Sequence, residues 1–238
     1  MSIPAVQFSD VAQRYGKQPV LRGIDLRVGA GECLGLVGVN GAGKTSLIKC
    51  LLDFCAMERG NIDIFGLSHR LPDARRPLAF LPERFMPPYY LTGRDFLSYL
   101  LTLQGLAYRA GPAHAMLAAL DLDPAALSRT VRHYSKGMTQ KLGLAACFLA
   151  DKAMYVLDEP MSGLDPKARA LLKQQLQRVR AGGATVLFTS HALADIEQLC
   201  DRVAILHAGQ IRFLGSPALC RQQYGGADLE QAFMRCIA

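Results

Sequence analysis

The run Gly38-Val39-Asn40-Gly41-Ala42-Gly43-Lys44-Thr45 brings together residue types suited to one task, holding a chain of phosphates. Glycines at 41 and 43 let backbone N–H groups turn inward onto anionic oxygens with no Cβ in the way. The cradle spans Gly38, Asn40, Gly41, Ala42, Gly43, Lys44, Thr45 and Ser46. Within it Lys44 suits the β- and γ-phosphates of a nucleoside triphosphate, and the Thr45 hydroxyl suits Mg²⁺. The spacing is that of the Gly-x4-Gly-Lys-Ser/Thr phosphate loop, whose mechanics require a strand before it and a helix after it. A second constellation, Tyr155-Val156-Leu157-Asp158-Glu159, ends an apolar strand on two adjacent carboxylates. Asp158 suits Mg²⁺ held through water, and Glu159 suits polarising an attacking water. Either motif alone could be a turn or a surface cap; together they predict binding of a nucleoside triphosphate with Mg²⁺.

The elements that must position these residues can be read from the periodicity. Cys33–Val37, Met154–Leu157 and Thr185–Thr189 are short apolar runs that read as buried strands. Ala5–Phe8, Val20–Val28 and Asn61–Phe65 read as further strands, and Phe80-Leu81 ends another. Val203–Leu206 and Ile211–Leu214 flank Ala208-Gly209-Gln210 as a hairpin. Helical spacing covers 44–53, 94–104, 113–120 and about 139–150, with 121–131 irregular or briefly helical. Asp165-Pro166 starts another helix, a capping Asp with Pro at the first helical position, and Gly182-Gly183 ends it. Strands alternating with helices predict an α/β fold with a mainly parallel sheet covered by helices on both faces. Residues 88–135 interrupt the alternation with helices alone and read as an inserted helical subdomain. The expected core is then 1–87 with 136–238.

Composition excludes several classes. The 238 residues are half apolar, which rules out a disordered or collagen-like chain. No apolar run approaches the ~20 residues that span a bilayer. The opening Met1-Ser2-Ile3-Pro4-Ala5 lacks the basic end and apolar stretch of a secretory leader, so a soluble intracellular chain is expected. Lys and Arg number 27 against 20 Asp and Glu, a net charge of +7. The cationic stretch Lys167, Arg169, Lys173, Arg178 and Arg180 has no interleaved aromatic residues. It reads as a solvated helix face rather than a base-stacking platform, and direct nucleic-acid binding is not expected. The cysteines, odd in number and set mostly among apolar neighbours, read as buried reduced thiols rather than a disulfide framework or metal site.

These motifs, in this order, resemble the ATP-binding subunit of an ABC transporter over nearly the whole chain. The resemblance implies a P-loop NTPase core with a small antiparallel β subdomain and the inserted helical subdomain. It places a signature turn at Tyr134-Ser135-Lys136-Gly137-Met138, keeping Ser135 and Gly137 of the family's Leu-Ser-Gly-Gly-Gln but replacing its first Gly by Lys136 and its Gln by Met138. By this likeness Ser135, Lys136 and Gly137 contact the γ-phosphate of ATP held by a second subunit. Tyr15, in Arg14-Tyr15-Gly16-Lys17, stands where the family stacks an aromatic ring on adenine. Ser162-Gly163-Leu164-Asp165 resembles the loop that crosses the dimer interface, and His191 matches the switch histidine that orders the water with Glu159. Glu83 takes the place of the family's Gln, keeping an oxygen for Mg²⁺ and water while adding a charge beside the phosphates.

Glu83, the Ser-Lys-Gly-Met signature and the tail Asp228–Phe233 are similar to the branch serving type-two exporters. The resemblance then implies a subunit without an extra C-terminal domain, working as a homodimer or a pair with a paralogue. It would sit as a peripheral subunit on the cytoplasmic face of the cell membrane, driving a separate transmembrane permease. The apolar, Pro-rich segment Glu83–Tyr90 is the candidate surface for that permease. Two rival classes share part of the pattern. A soluble ABC-type ATPase acting in nucleic-acid or ribosome processes usually joins two such domains or carries a long coiled coil. A small-metabolite kinase needs neither a signature turn nor a switch histidine.

Overall fold

The computed structural model describes residues 3–238; Met1 and Ser2, on which the leader reading partly rests, lie outside the described residues. The chain runs β1 (Val6–Tyr15), β2 (Gln18–Val28), β3 (Cys33–Val37), α1 (Lys44–Leu51), β4 (Arg59–Ile64), β5 (Leu67–Ser68), α2 (Pro72–Arg75) and β6 (Leu78–Leu81). A helical stretch follows, with α3 (Gly93–Leu103), α4 (Ala110–Ala119), 3₁₀ turns at Pro124–Ser128 and Val131–His133, and α5 (Lys136–Leu149). The alternation then resumes with β7 (Met154–Leu157), α6 (Pro166–Ala181), β8 (Thr185–Thr189), α7 (Leu193–Leu199), β9 (Arg202–His207), β10 (Gln210–Gly215), α8 (Pro217–Tyr224) and α9 (Leu229–Ile237).

Among the described residues the strands form two sheets. A four-stranded antiparallel sheet has the order β2-β1-β4-β5, and a six-stranded sheet the order β10-β9-β3-β8-β7-β6. In the larger sheet all neighbours are parallel except the β9–β10 hairpin. Strands β3, β7 and β8 are buried throughout, as expected of parallel strands covered on both faces. Their residues alternate between two cores. Leu34, Leu36, Met154, Val156 and Leu187 face the antiparallel sheet and α1, while Tyr155, Leu157, Val186 and Phe188 face the helices. This arrangement is the α/β fold with a mainly parallel sheet and an antiparallel β unit that the sequence implied.

Where elements differ from the sequence reading, the cause is local. The strand expected to end at Phe8 continues to Tyr15, because the register shifts after Phe8 on β2 and after Ser9 on β4 and pairing then resumes. The helix expected from Thr139 starts at Lys136, since Ser135 caps it by accepting from the Met138 N–H at 3.2 Å. The helices α7, α8 and α9, absent from the sequence reading, are short. The cationic face of α6 is paired: Lys167 with Asp121, Lys173 with Asp195 and Arg180 with Asp201. Its partners come from other elements, which sequence proximity could not reveal.

The bulge matters because β1 and β2 carry Tyr15 and Gln18 to the site described below. At Asp10 the backbone turns left-handed (φ 48°), and Gly60 crosses it so closely that a Cβ would lie 2.4 Å from the Asp10 carbonyl oxygen. Gly60 itself has φ +93°, a region L side chains rarely adopt. Gly60→Ala is therefore expected to lower the unfolding free energy by about 1–3 kcal/mol, read from urea denaturation followed by circular dichroism. An unchanged midpoint would contradict this account of the bulge.

Candidate nucleotide site

The carboxyl ends of β3, β6, β7 and β8 converge on one cavity of about 380 Å³. This is where open α/β sheets bind ligands, because the loops leaving parallel strands splay apart there. After β3 the loop turns at Gly41 (φ +79°) and Gly43 (φ +113°), and α1 begins with no side-chain cap, leaving its first N–H groups free for a ligand. Lys44 folds back over this loop and donates from Nζ to the carbonyls of Gly38 (2.6 Å) and Val39 (3.3 Å).

Asp158, at the end of β7, joins three elements. Its Oδ2 accepts from the Thr45 hydroxyl at 3.0 Å, and its Oδ1 accepts from the Thr189 hydroxyl at 2.7 Å. Thr189 in turn accepts from the Glu159 N–H at 2.8 Å. Glu159 is held in the left-handed region (φ 51°), a costly conformation for a side-chain residue that the surrounding bonds enforce. His191 Nε2 lies 3.1 Å from Glu159 Oε1, close but without hydrogen-bond alignment, so that buried oxygen has no hydrogen-bond partner.

The electrostatics are those of a site built for a charged guest. Burial pulls the Lys44 amine below its usual range, and the nearby carboxylates Glu159, Asp158 and Glu83 push it back up. Burial pushes the Glu159 carboxyl above the ordinary carboxylate range, opposed by His191 and Lys44. A buried cation beside several carboxylates, with a free acceptor and free amide donors, suits a metal-bound polyphosphate. Thr45, Asp158 and Glu83 offer hard oxygens of the kind Mg²⁺ prefers. Among the described residues no cluster of three His, Cys, Asp or Glu suits a metal ion. An Mg²⁺ here would be held by one or two carboxylates together with substrate phosphates and water.

Of the residues singled out from the sequence, Tyr15, Asn40, Gly41, Ala42, Gly43, Lys44, Thr45, Ser46, Glu83, Asp158, Glu159 and His191 all line the cavity. Gly38 sits behind it, where a Cβ would lie 2.2 Å from the Leu206 carbonyl, so it seats the loop against β9. Ser135, Lys136, Gly137 and Asp165 stay outside this cavity. Lys136 Nζ instead donates to the Ser162 hydroxyl at 3.3 Å, and Asp165 caps α6 by accepting from the Ala168 N–H at 2.9 Å. Sequence reasoning missed Gln18 and Val20, which line the cavity beside Tyr15, and Thr189, which braces both carboxylate residues. The alternation along β2, and a hydroxyl ending the otherwise apolar β8, were the available signals.

A mainly parallel sheet with a phosphate loop at one strand end and an Asp-Glu pair at another defines a nucleotide-binding α/β protein of the phosphate-loop class. Comparison with known proteins narrows this. The family model described as "ABC transporter" matches residues 21–162. An uncharacterized ABC transporter ATP-binding protein of Synechocystis is 37% identical over 83% of this chain, which spans 57% of that relative's length. The Nod factor export ATP-binding protein I of Burkholderia orbicola is 34% identical over 98% of this chain and 78% of its own. A solved structure described as the ATP binding subunit of an ABC transporter superposes with a TM-score of 0.89 at 32% identity, over 98% of this chain and 99% of that one. The chain belongs to the ABC transporter family, as an ATP-binding ATPase subunit. Among its described residues no helix is long and apolar enough to cross a membrane.

The raised Glu159 carboxyl has a consequence for stability. A folded value above the unfolded one favours folding while the group is protonated, and that contribution is lost as pH rises through the folded value. Glu159→Gln stays neutral, so it is expected to raise the melting temperature of the nucleotide-free chain at neutral and alkaline pH. The gain should vanish below the ordinary carboxylate range. Thermal melts across pH measure this; no gain at neutral pH would contradict the assignment of burial as the dominant cause.

Proposed function

We propose that two copies of this chain bind two ATP molecules between them, each held by the phosphate loop of one copy and covered by the Ser135-Lys136-Gly137 turn of the other. The observation that carries this reading is the division within one chain. The cavity holds the cradle, the cation and the carboxylates, while the turn resembling the family signature lies outside it. That turn is suited to a phosphate. Ser135 Oγ accepts from the Met138 N–H, leaving its own hydrogen to donate, and the first amides of α5 are available beside it.

In the proposed site Tyr15, about half exposed, stacks on the adenine. The loop amides and Lys44 hold the phosphates. Mg²⁺, held by Thr45 and Asp158 with Glu83 beside them, screens the phosphate charge when bound. Glu159 takes the proton of the attacking water, and His191, next to its carboxylate, holds that group and the water in place. Asp165, at the start of α6, lies on the loop that faces the second copy. ATP-driven closure of the pair, and its release on hydrolysis, move a separate permease on the cytoplasmic face of the membrane.

The permease is proposed to dock on the segment after Glu83, where Met86, Tyr89 and Tyr90 are 84%, 69% and 68% exposed. Phe85 belongs instead to the interior face of this segment, packed edge-on against Phe96 at 5.6 Å. Residues 88–135 are read as the helical subdomain that carries this motion, and 1–87 with 136–238 as the ATPase core. Export as the direction of transport is supported by the Glu83 replacement and by the Burkholderia relative, which is named for Nod factor export.

Two substitutions test the reading. Lys44→Ala is expected to abolish nucleotide retention in equilibrium binding, and unaltered ATP affinity would contradict the role given to the loop. Glu159→Gln is expected to keep ATP binding while slowing hydrolysis by about 10²-fold or more. Normal turnover in that variant would remove Glu159 from the role of base.

A further inference from the structure

Away from the nucleotide site, the segment that leaves α1 brings two thiols together. Cys50, in the last turn of α1, is fully buried, and its Sγ lies 3.5 Å from that of Cys55. Cys55 is only partly buried and sits in the irregular turn between α1 and β4. A disulfide needs the sulfurs at about 2.05 Å, so one of them must move by roughly 1.5 Å. Close packing fixes Cys50 in the core between the two sheets. Cys55 lies outside any helix or strand, so the movement falls on its side.

We propose that Cys50 and Cys55 are a reversible oxidation site of this chain, closing to an intrachain disulfide when a peroxide reaches Cys55. The Cys55 thiolate attacks one peroxide oxygen, giving a sulfenic acid and releasing hydroxide for hydrogen peroxide. Cys50 then gives up its proton and attacks the Cys55 sulfur as the thiolate, forming the S–S bond. That proton and the sulfenic hydroxyl leave as water. The thiols lose two electrons in all, which the peroxide accepts. Burial, with Cys55 next to it, holds the Cys50 thiol protonated well above the ordinary thiol range, so Cys55 is the member that meets the oxidant.

Geometry selects this pair over the others. Cys33 and Cys200 are also close, with sulfurs 3.8 Å apart, but both are buried. Cys147 and Cys220 are buried as well. Cys236 is partly buried like Cys55, but among the described residues no sulfur–sulfur contact as short as that of Cys50 and Cys55 is found for it.

The sequence makes the test direct, because cleavage after Lys49 and Arg59 places Cys50 and Cys55 on one tryptic peptide with no other cysteine. The full chain is treated with graded hydrogen peroxide, free thiols are blocked by alkylation, and the digest is mapped by mass. The expected result is parallel loss of alkylation at both cysteines, with the peptide lighter by two hydrogens, while Cys33 and Cys200 stay alkylated. Dithiothreitol should restore both thiols. In Cys50→Ala the expected product is a Cys55 sulfenic acid trapped by dimedone. Three outcomes would overturn the proposal: Cys55 carried to sulfinic or sulfonic acid with Cys50 still reduced, chains cross-linked through Cys55, or both thiols unmodified at peroxide levels that oxidise Cys236.

Discussion

The Asp158 carboxylate fixes the geometry on which the site depends. One oxygen takes the hydroxyl of Thr45 at the start of α1, the other takes the hydroxyl of Thr189 at the end of β8, and Thr189 accepts from the next backbone N–H, that of Glu159. Two strand ends and the phosphate-loop helix are thus held in register by side chains whose polar atoms satisfy one another. Buried carboxylates and a buried lysine would otherwise carry a heavy desolvation cost. The strained backbone at Glu159 and its unpartnered Oε1 are what remains uncompensated, and both face the cavity. A site that keeps strain and an open acceptor at one point is organised around a guest that supplies the missing partners.

The same geometry explains why a single chain is an incomplete enzyme on the proposed reading. Its cavity presents donors and acceptors from one side. The turn best suited to cover a γ-phosphate is engaged elsewhere in the chain, with Lys136 on Ser162 and Gly137 packed so tightly that a Cβ would lie 3.0 Å from the Gly163 carbonyl. The signature turn and the loop before α6 are therefore braced against each other. Lys141 and Lys167 share Asp121, tying α5 and α6 to the segment just after α4. On the proposed reading, such bracing would let a nucleotide held by a second copy be felt by both the helical stretch and the loop at once.

Much of this was legible in the sequence, and the reasons are specific. The phosphate loop and the Asp-Glu pair are contiguous runs whose residue types are dictated by local chemistry, so their strands and the cavity they line follow from spacing alone. Strands β3, β7 and β8 are buried on both faces and read as unbroken apolar runs with their bounds intact. The bulge that extends β1 was not legible, because it depends on Gly60 crossing Asp10 from a distant strand. Thr189 and Gln18 were missed for a related reason: a threonine ending a strand and a glutamine opening one are ordinary until the neighbouring strand ends are known. The pairing of the cationic α6 face with Asp121, Asp195 and Asp201 likewise exists only in three dimensions. The exposed segment at Met86, Tyr89 and Tyr90 was visible as composition, but the inward turn of Phe85 required the fold.

The central claim is that ATP joins two copies of this chain through the cradle of one and the Ser135 turn of the other. Sedimentation velocity of the Glu159→Gln chain, with and without saturating Mg²⁺ and ATP, tests it most directly. The account expects a monomer without nucleotide and a dimer with it, the dimer being lost when Ser135 is replaced by a bulky charged residue. A chain that remains a monomer with ATP bound and hydrolysis blocked would contradict it.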